Sequence, residues 1–346
     1  MTPKEQYAAF CKRYPGLPVM MQPWWLEAVS AGKNWEVMLV KKSEISNQKH
    51  PTAQACGDPA QSAISDQDDE VVAAMPYLLR KRLWYKFIVM PQMTMFGGVW
   101  MNDDLFASPD LQEQLAKVIT RKLRALGVAY YYQQYPIGNP MPYWFGKQRM
   151  KVEDRVTYRI DNLTDIESAE EAFSQNKKRQ LKKAEGLTIN YDMTAEEFYR
   201  FHRACMHERG QHLSYSREFL LVLEKKCRRE NHGTFIRVCE GDQTAAAAFV
   251  VWDQRYLYYL IPAYLPSAAK SGASARLADE AIRLAKEKNL QFDFEGGNDS
   301  EGIANHYKQF GSHAVTYQSV SKLYRPSFAL LLAANRWKEK LMKTRG

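Results

Sequence analysis

Cysteine is scarce in this chain. The five present, Cys11, Cys56, Cys205, Cys227 and Cys239, are scattered and odd in number. They make neither a disulfide framework nor a CxxC metal pair, and a reducing cytoplasm is the expected compartment. Long apolar runs are missing: no window approaches about 18 uninterrupted apolar residues, the length that a membrane-spanning helix requires. The opening MTPKEQYAAFCKRYPG has no apolar core of signal-peptide length. No GxxxxGK[ST] loop and no GxGxxG fingerprint occurs, which removes the usual markers of nucleotide hydrolysis and dinucleotide redox chemistry. RNA-module signatures are absent as well. The segment 43–70 contains no aromatic residue, Leu or Val. It cannot bury enough apolar surface to fold alone and reads as a mobile insertion within a hairpin.

What is present is a chain of 346 residues, 45% hydrophobic and 12% aromatic, long enough for two domains. Lys and Arg number 48 against 39 Asp and Glu, a formal charge of +9. That excess suits an anionic partner, a phosphate-bearing donor, RNA or an acidic membrane surface, or simply a basic soluble protein.

Periodicity assigns strands to 35–42, 70–79, 87–95 and 128–136, with a helix over 109–126. After a crossover at 140–160 come helices over 167–185 and 194–209. Three strands follow, TFIRVCE (234–240), TAAAAFVVW (244–252) and RYLYYLI (255–261). A helix over 272–288 leads into LQFDFE (290–295). GIANHYKQFG is a short helix, AVTYQSV (314–320) a last strand, and the tail from Pro326 a basic helix. The expected class is α/β with α+β mixing.

RYLYYLI, the 272–288 helix and LQFDFE form a βαβ unit, nearly always right-handed with parallel strands. The helix start and the far end of the second strand then share one sheet edge, where open α/β sheets take ligands. Lys270, Ser271, Gly272, Ala273 and Ser274 make a small, positively charged entry whose backbone N–H groups and helix dipole suit a phosphate. The same residues also suit an ordinary helix start capped by Ser271 or Ser274. In LQFDFE, Asp293 and Glu295 fall on the face opposite Phe292 and Phe294. Buried carboxylates need a partner or a wet cleft, so Glu295 at the strand end is a candidate general base. A solvated edge strand is the alternative.

Helix 167–185 turns Phe173, Leu181 and Ala184 inward and Lys178, Arg179, Lys182 and Lys183 outward, either as a solvated face or as a track for phosphates. FHRACMHERGQH (201–212) holds three His and one Cys, but no spacing matches zinc, and no metal is expected. Glu208 and Arg209 close that helix and could border an acceptor cleft. Trp24, Trp25, Tyr130, Tyr131, Tyr132 and Tyr135 read as core or as aromatic ligand walls.

The order TAAAAFVVW, RYLYYLI, AAKSGAS, RLADEAIRLAKEKN, QFDFEGG, GIANHYKQFG, AVTYQSV resembles the GNAT acyltransferase superfamily. The turn Ala268–Ser274 stands where that family usually has Arg/Gln-x-x-Gly-x-Gly/Ala. With the QNKKRQLKKAEG helix and two halves of like element order, the chain looks like a Fem-type tandem GNAT protein. The resemblance implies two GNAT-like domains, 1–155 (with the insertion 43–70) and 156–325, each a mixed central sheet flanked by helices, and a basic helix over 326–346. It implies transfer of an acyl or aminoacyl group to an amine acceptor such as a peptidoglycan-precursor peptide. The donor would be an acyl-CoA or an aminoacyl-tRNA, with no tightly bound cofactor. Ile261 and its neighbours would supply an oxyanion donor, Glu295 the base with Asp293 in reserve, and Tyr307 the acid. Tyr307 also reads as a packing aromatic near Phe310. Transfer from acyl-CoA to a small amine or peptide is one alternative. A non-catalytic RNA- or membrane-binding protein on a degenerate GNAT scaffold is another. The leading reading allows a tRNA partner; the tail reads as a helix docked on the protein body or, alternatively, as a peripheral contact with an anionic membrane surface; DNA is not expected.

Overall fold

The computed structural model describes residues 1–30, 35–46, 70–164, 166–296, 301–331 and 333. Its strands are β1 (Trp35–Lys41), β2 (Val71–Arg82), β3 (Tyr85–Val89), β4 (Trp100–Met101), β5 (Tyr130–Tyr135), β6 (Lys151–Ile160), β7 (Thr188–Asn190), β8 (Gly233–Glu240), β9 (Gln243–Trp252), β10 (Tyr256–Tyr264), β11 (Gln291–Asp293) and β12 (His313–Leu323). The described residues fall into two compact units. One holds Met1–Leu26, the described part of Gly32–Asp154 and the run from Gln318. The other holds 27–30 and the described part of Arg155–Tyr317.

In the first unit the sheet order is β1-β2-β3-β5-β12, with β4 on β2. The β3/β5 pair is parallel, and β1/β2, β2/β3 and β5/β12 are antiparallel. Residues 318–323 of β12 pair with Tyr130–Tyr135, so the end of the last strand belongs to this unit. The helix Pro109–Ala125 packs Leu115, Val118, Ile119 and Leu123 on the sheet, capped by the Ser108 hydroxyl, which accepts from Leu111 N–H. Tyr131 and Tyr135 are fully buried and share a 2.6 Å hydroxyl contact, which makes them core rather than ligand wall. Of the 43–70 segment, Lys42–Ser46 is a helix, and 47–69 lie outside the described residues, as does most of the 326–346 tail.

The second unit has the order β6-β11-β10-β9-β8-β7. Its β10/β11 pair is parallel, as the βαβ reading requires, and the rest are antiparallel. The helix Ala273–Glu287 lays Ala273, Leu277, Ala278, Ala281, Ile282 and Ala285 on this sheet. The small side chains Ala245, Ala246 and Ala248 of β9 belong to the same core. Two helical expectations change here. The single helix over 167–185 is two, Ile166–Glu171 and Gln175–Lys183, because Ser174 caps the second by accepting from Lys177 N–H at 3.2 Å. A further helix, Arg217–Arg229, stands between Ser216 and β8, with Leu220, Leu223 and Cys227 inward. The apolar run Phe219–Leu223 fills every position between Leu220 and Leu223, so no clean 3–4 residue spacing stands out in the sequence.

Candidate active site

The site begins where two parallel strands part. β10 and β11 pair only over Tyr256–Tyr258 and Gln291–Asp293. β11 stops there, whereas β10 continues to Tyr264. A bulge between Tyr258 and Ile261 shifts β10 against β9. Bulges bend a strand and re-aim its groups, so a wedge opens beyond Asp293.

The register decides which amides face it. Leu265 N–H donates to Ala245 O at 3.1 Å, and counting back by twos puts Ala263 and Ile261 on the same side, paired with Ala247 and Phe249 of β9. Ile261 therefore directs its N–H toward β9, which takes Ile261 itself out of the expected oxyanion role and leaves that role to its neighbours. Leu260, Pro262 and Tyr264 face the other way. Pro262 has no N–H, which leaves Leu260 and Tyr264 as the amides turned toward the wedge.

Asp293 and Glu295 do not share a strand face. Asp293 is fully buried at the end of β11. Thr157 Oγ1 donates to its Oδ1 at 2.5 Å, and Arg159 Nε to its Oδ2 at 2.6 Å. Both partners come from β6, antiparallel to β11, where Arg159 pairs directly with Asp293. The Arg159 guanidinium lies 3.9 Å above the Tyr256 ring. Oδ1 also accepts the Glu295 N–H at 2.8 Å. A carboxylate so occupied anchors structure and is poorly placed to move protons, so its expected reserve role as base gives way to an anchoring one.

Past Asp293 the chain leaves the sheet. Glu295 adopts φ +52°, unusual for a residue with a side chain. The Asp293 bond to its amide and the Gly296 N–H to Thr157 Oγ1 bond at 3.3 Å hold this conformation. Burial, and secondarily the Asp293 charge, push the Glu295 carboxyl up to about 8. Tyr307, on the helix Glu301–Lys308, stacks on Phe294 with centroids 4.3 Å apart. Its phenol is raised by burial first, then by the charges of Glu295, Asp293 and Tyr264. Tyr307 is thus both the packing aromatic and the neighbour of Glu295.

The entry to Ala273–Glu287 differs from expectation in its cap. Gly272 is the N-cap at φ +83°, with no side-chain cap bond. The Ser271 hydroxyl donates to Ala268 O at 2.8 Å and accepts Ala273 N–H at 3.3 Å. Ala275 and Arg276 N–H both return to Gly272 O at 3.0 Å. Several amides of the turn are therefore satisfied internally. The helix Gln175–Lys183 lies against it: a Cβ on Gly272 would sit 2.3 Å from Gln180 O and 3.2 Å from Ala184 Cβ. Lys270 is exposed, and Ser274 is half-buried.

Residues 147–309 match the family model described as an acetyltransferase (GNAT) domain. The second unit is a GNAT domain. No curated protein matches the sequence. Among solved structures, FemX covers 95% of this chain and 98% of its own at 12% identity, with a TM-score of 0.68. The C-terminal domain of a candidate lysylphosphatidylglycerol synthetase from Agrobacterium fabrum covers 96% of this chain and 95% of its own at 10% identity, TM-score 0.55. These likenesses are of fold alone, and they run over both units.

The GNAT domain contains every candidate site residue. On its basic helix, Arg179, Lys182 and Lys183 are exposed, while Lys178 is half-buried and donates to Glu171 O at 2.9 Å. Lys177 was hidden in that charged run. It is 2% exposed, with Nζ 3.0 Å from Gln180 Oε1, 3.0 Å from His306 Nδ1 and 4.8 Å above the Phe310 ring. Burial lowers its ammonium to about 8 and the His306 ring to about 4. At the wedge mouth Arg209 stacks on Tyr264 at 4.4 Å and donates to its carbonyl at 2.8 Å; Glu208 accepts Ser267 N–H at 3.4 Å. His202 binds Tyr215 through Nδ1 at 2.7 Å, and among the described residues no group of three or more His, Cys, Asp or Glu could hold a metal ion.

Proposed function

We propose that this chain transfers an acyl or aminoacyl group to an amine, with the Glu295–Tyr307 pair at the β10/β11 wedge as its chemical centre. The observation that carries this reading is the Glu295 carboxyl, held at about 8 beside a neutral phenol in a GNAT domain. A base works best with a pKa near the operating pH.

The acceptor amine attacks the donor's ester or thioester carbonyl. A C–N bond forms, and the carbonyl oxygen becomes an oxyanion within reach of the Leu260 amide. The Glu295 carboxylate takes the proton from nitrogen. The bond to the leaving alkoxide or thiolate breaks as Tyr307 supplies a proton, which the phenolate later regains from Glu295 or water. Asp293 and Thr157 hold Glu295 in place.

The acceptor we propose is a peptide of the peptidoglycan-precursor kind, supported by the FemX-like fold, with an aminoacyl-tRNA as donor tracked by Arg179, Lys182 and Lys183. Acyl-CoA is the second reading, favoured by the family description. Against it stand Ala269, in the place usual for Arg or Gln, and the Gln180 carbonyl packed on Gly272. Thermal-shift measurement with acetyl-CoA and with charged tRNA separates the two: stabilisation by acetyl-CoA alone would overturn the tRNA donor. Glu295→Gln should cut turnover by about 100-fold or more with folding intact. Undiminished turnover would remove Glu295 from the chemistry, and no turnover in any donor–acceptor pair would favour a binding role on a GNAT scaffold.

A further inference from the structure

The helix Ala195–Glu208 and the segment after it enclose a groove of about 700 Å3 that the acyl-transfer reading leaves unassigned. Tyr199, Arg200, Arg203, His207, His212 and Tyr215 line it, with Glu208 as its one acid. Arg200, Arg203 and His207 follow at intervals of three and four, so they share one helix face. Arg200 lies 3.9 Å from Glu196. Arg203 has no ion-pair partner among the described residues.

The groove is pinned. Tyr215, buried, meets His202 Nδ1 at 2.7 Å and packs edge-on against Tyr199. Burial, with Arg209 nearby, lowers His202 to about 4. Its neutral ring keeps the Tyr215 bond across the physiological range and adds no charge to the floor. Glu208 and Arg209, at the end of the same helix, bond to Ser267 N–H and Tyr264 O just past the wedge. Glu208 is thereby engaged, and groove and wedge meet at one end of β10.

We infer that this groove binds an anionic group, a carboxylate or a phosphate, of the molecule whose amine enters the wedge, with Arg203 as its principal counter-ion. The placement rests on the wedge being the amine-acylation site; the anion preference rests on the groove alone. Two guanidinium groups and two imidazoles against one engaged carboxylate favour an anion, and Arg presents a planar fork to either oxyanion.

Calorimetric titration of the full chain with glutarate, and separately with inorganic phosphate, at low ionic strength tests it. At least one anion should bind. Arg203→Ala should weaken binding by about tenfold, Arg203→Glu should abolish it, and Lys225→Ala, on the exposed face of another helix, should leave it unchanged. Preference for glutarate identifies a carboxylate, and preference for phosphate a phosphoryl group. Binding of neither anion, or undiminished binding by Arg203→Glu, overturns the inference. Glu295→Gln should bind whichever anion wild type binds, with unchanged affinity, so loss of the catalytic reading and loss of the anion site are seen separately. With an active acceptor, Arg203→Ala should raise KM and leave kcat near wild type.

Discussion

The main-chain amide of Glu295 donates to the Asp293 carboxylate at 2.8 Å. One acid therefore sets the backbone of the other, and the two have different work: Asp293 is spent on Thr157, Arg159 and this amide, and Glu295 is left to titrate.

Removing the anchor should be costly. Asp293→Ala leaves Arg159 buried without a counter-charge, so unfolding in urea should show a loss of about 3–5 kcal/mol. Asp293→Asn keeps the shape and removes the charge that raises Glu295. If it folds, its pH–rate midpoint should lie below that of wild type. An unmoved or raised midpoint would mean that burial alone sets the Glu295 carboxyl.

The raised Glu295 carboxyl has a signed consequence for pH. Below its usual value near 4.5 the group is protonated in both folded and unfolded chains. Between there and about 8 the folded state holds a proton that the unfolded chain has released, so stability falls as pH rises through that window. Glu295→Gln should flatten that part of the curve, measured by denaturant midpoint. Catalysis should move oppositely, with kcat/KM rising toward pH 8 as the base ionises. A rate flat from pH 6 to about 8 would contradict it.

Gly272→Ala combines a φ of +83° with a Cβ 2.3 Å from a backbone carbonyl. Stability should drop by about 1–3 kcal/mol, because backbone on the Gln175–Lys183 helix must move rather than a flexible side-chain tip. An unchanged denaturation midpoint would show that the turn is not packed as described.

Lys177 is a buried cation whose named partners are neutral. Lys177→Met, close in volume and apolar, should stabilise the chain near pH 7 by about 1 kcal/mol or more. The sign with pH follows from the lowered ammonium. Wild-type stability rises as pH passes about 8 toward the unfolded value near 10.5, so the gain from Met should shrink there. A loss of stability at pH 7 would show that the bonds to His306 and Gln180 outweigh desolvation.

Much of the fold was readable because it follows local periodicity. Leu277, Ala281 and Leu284 drew the long helix, the alanine-rich β9 drew a buried strand, and parallel pairing of β10 with β11 follows from a crossover helix that returns the chain to the same end of the sheet. Breaks depending on a single cap were harder. Ser174 splits a charged helix, and the unbroken apolar run Phe219–Leu223 blurs the helical period of Arg217–Arg229.

At the site, the βαβ order read from the sequence puts the Gly272 turn, Asp293 and Glu295 at one edge of the sheet, whereas Tyr307 entered only through the family resemblance. The sequence by itself could not say which carboxylate is free, because that depends on Thr157 and Arg159, 136 and 134 positions away, arriving on β6. Nor could it say which amide faces the wedge, since one bulged residue in β10 reverses the phase and exchanges Ile261 for Leu260. Lys177 reads as surface charge in a run of lysines, and only the packing of Phe310 and His306 against it makes it interior. Periodicity reports which way a side chain points from its own element; only tertiary structure supplies the partner that fixes its charge.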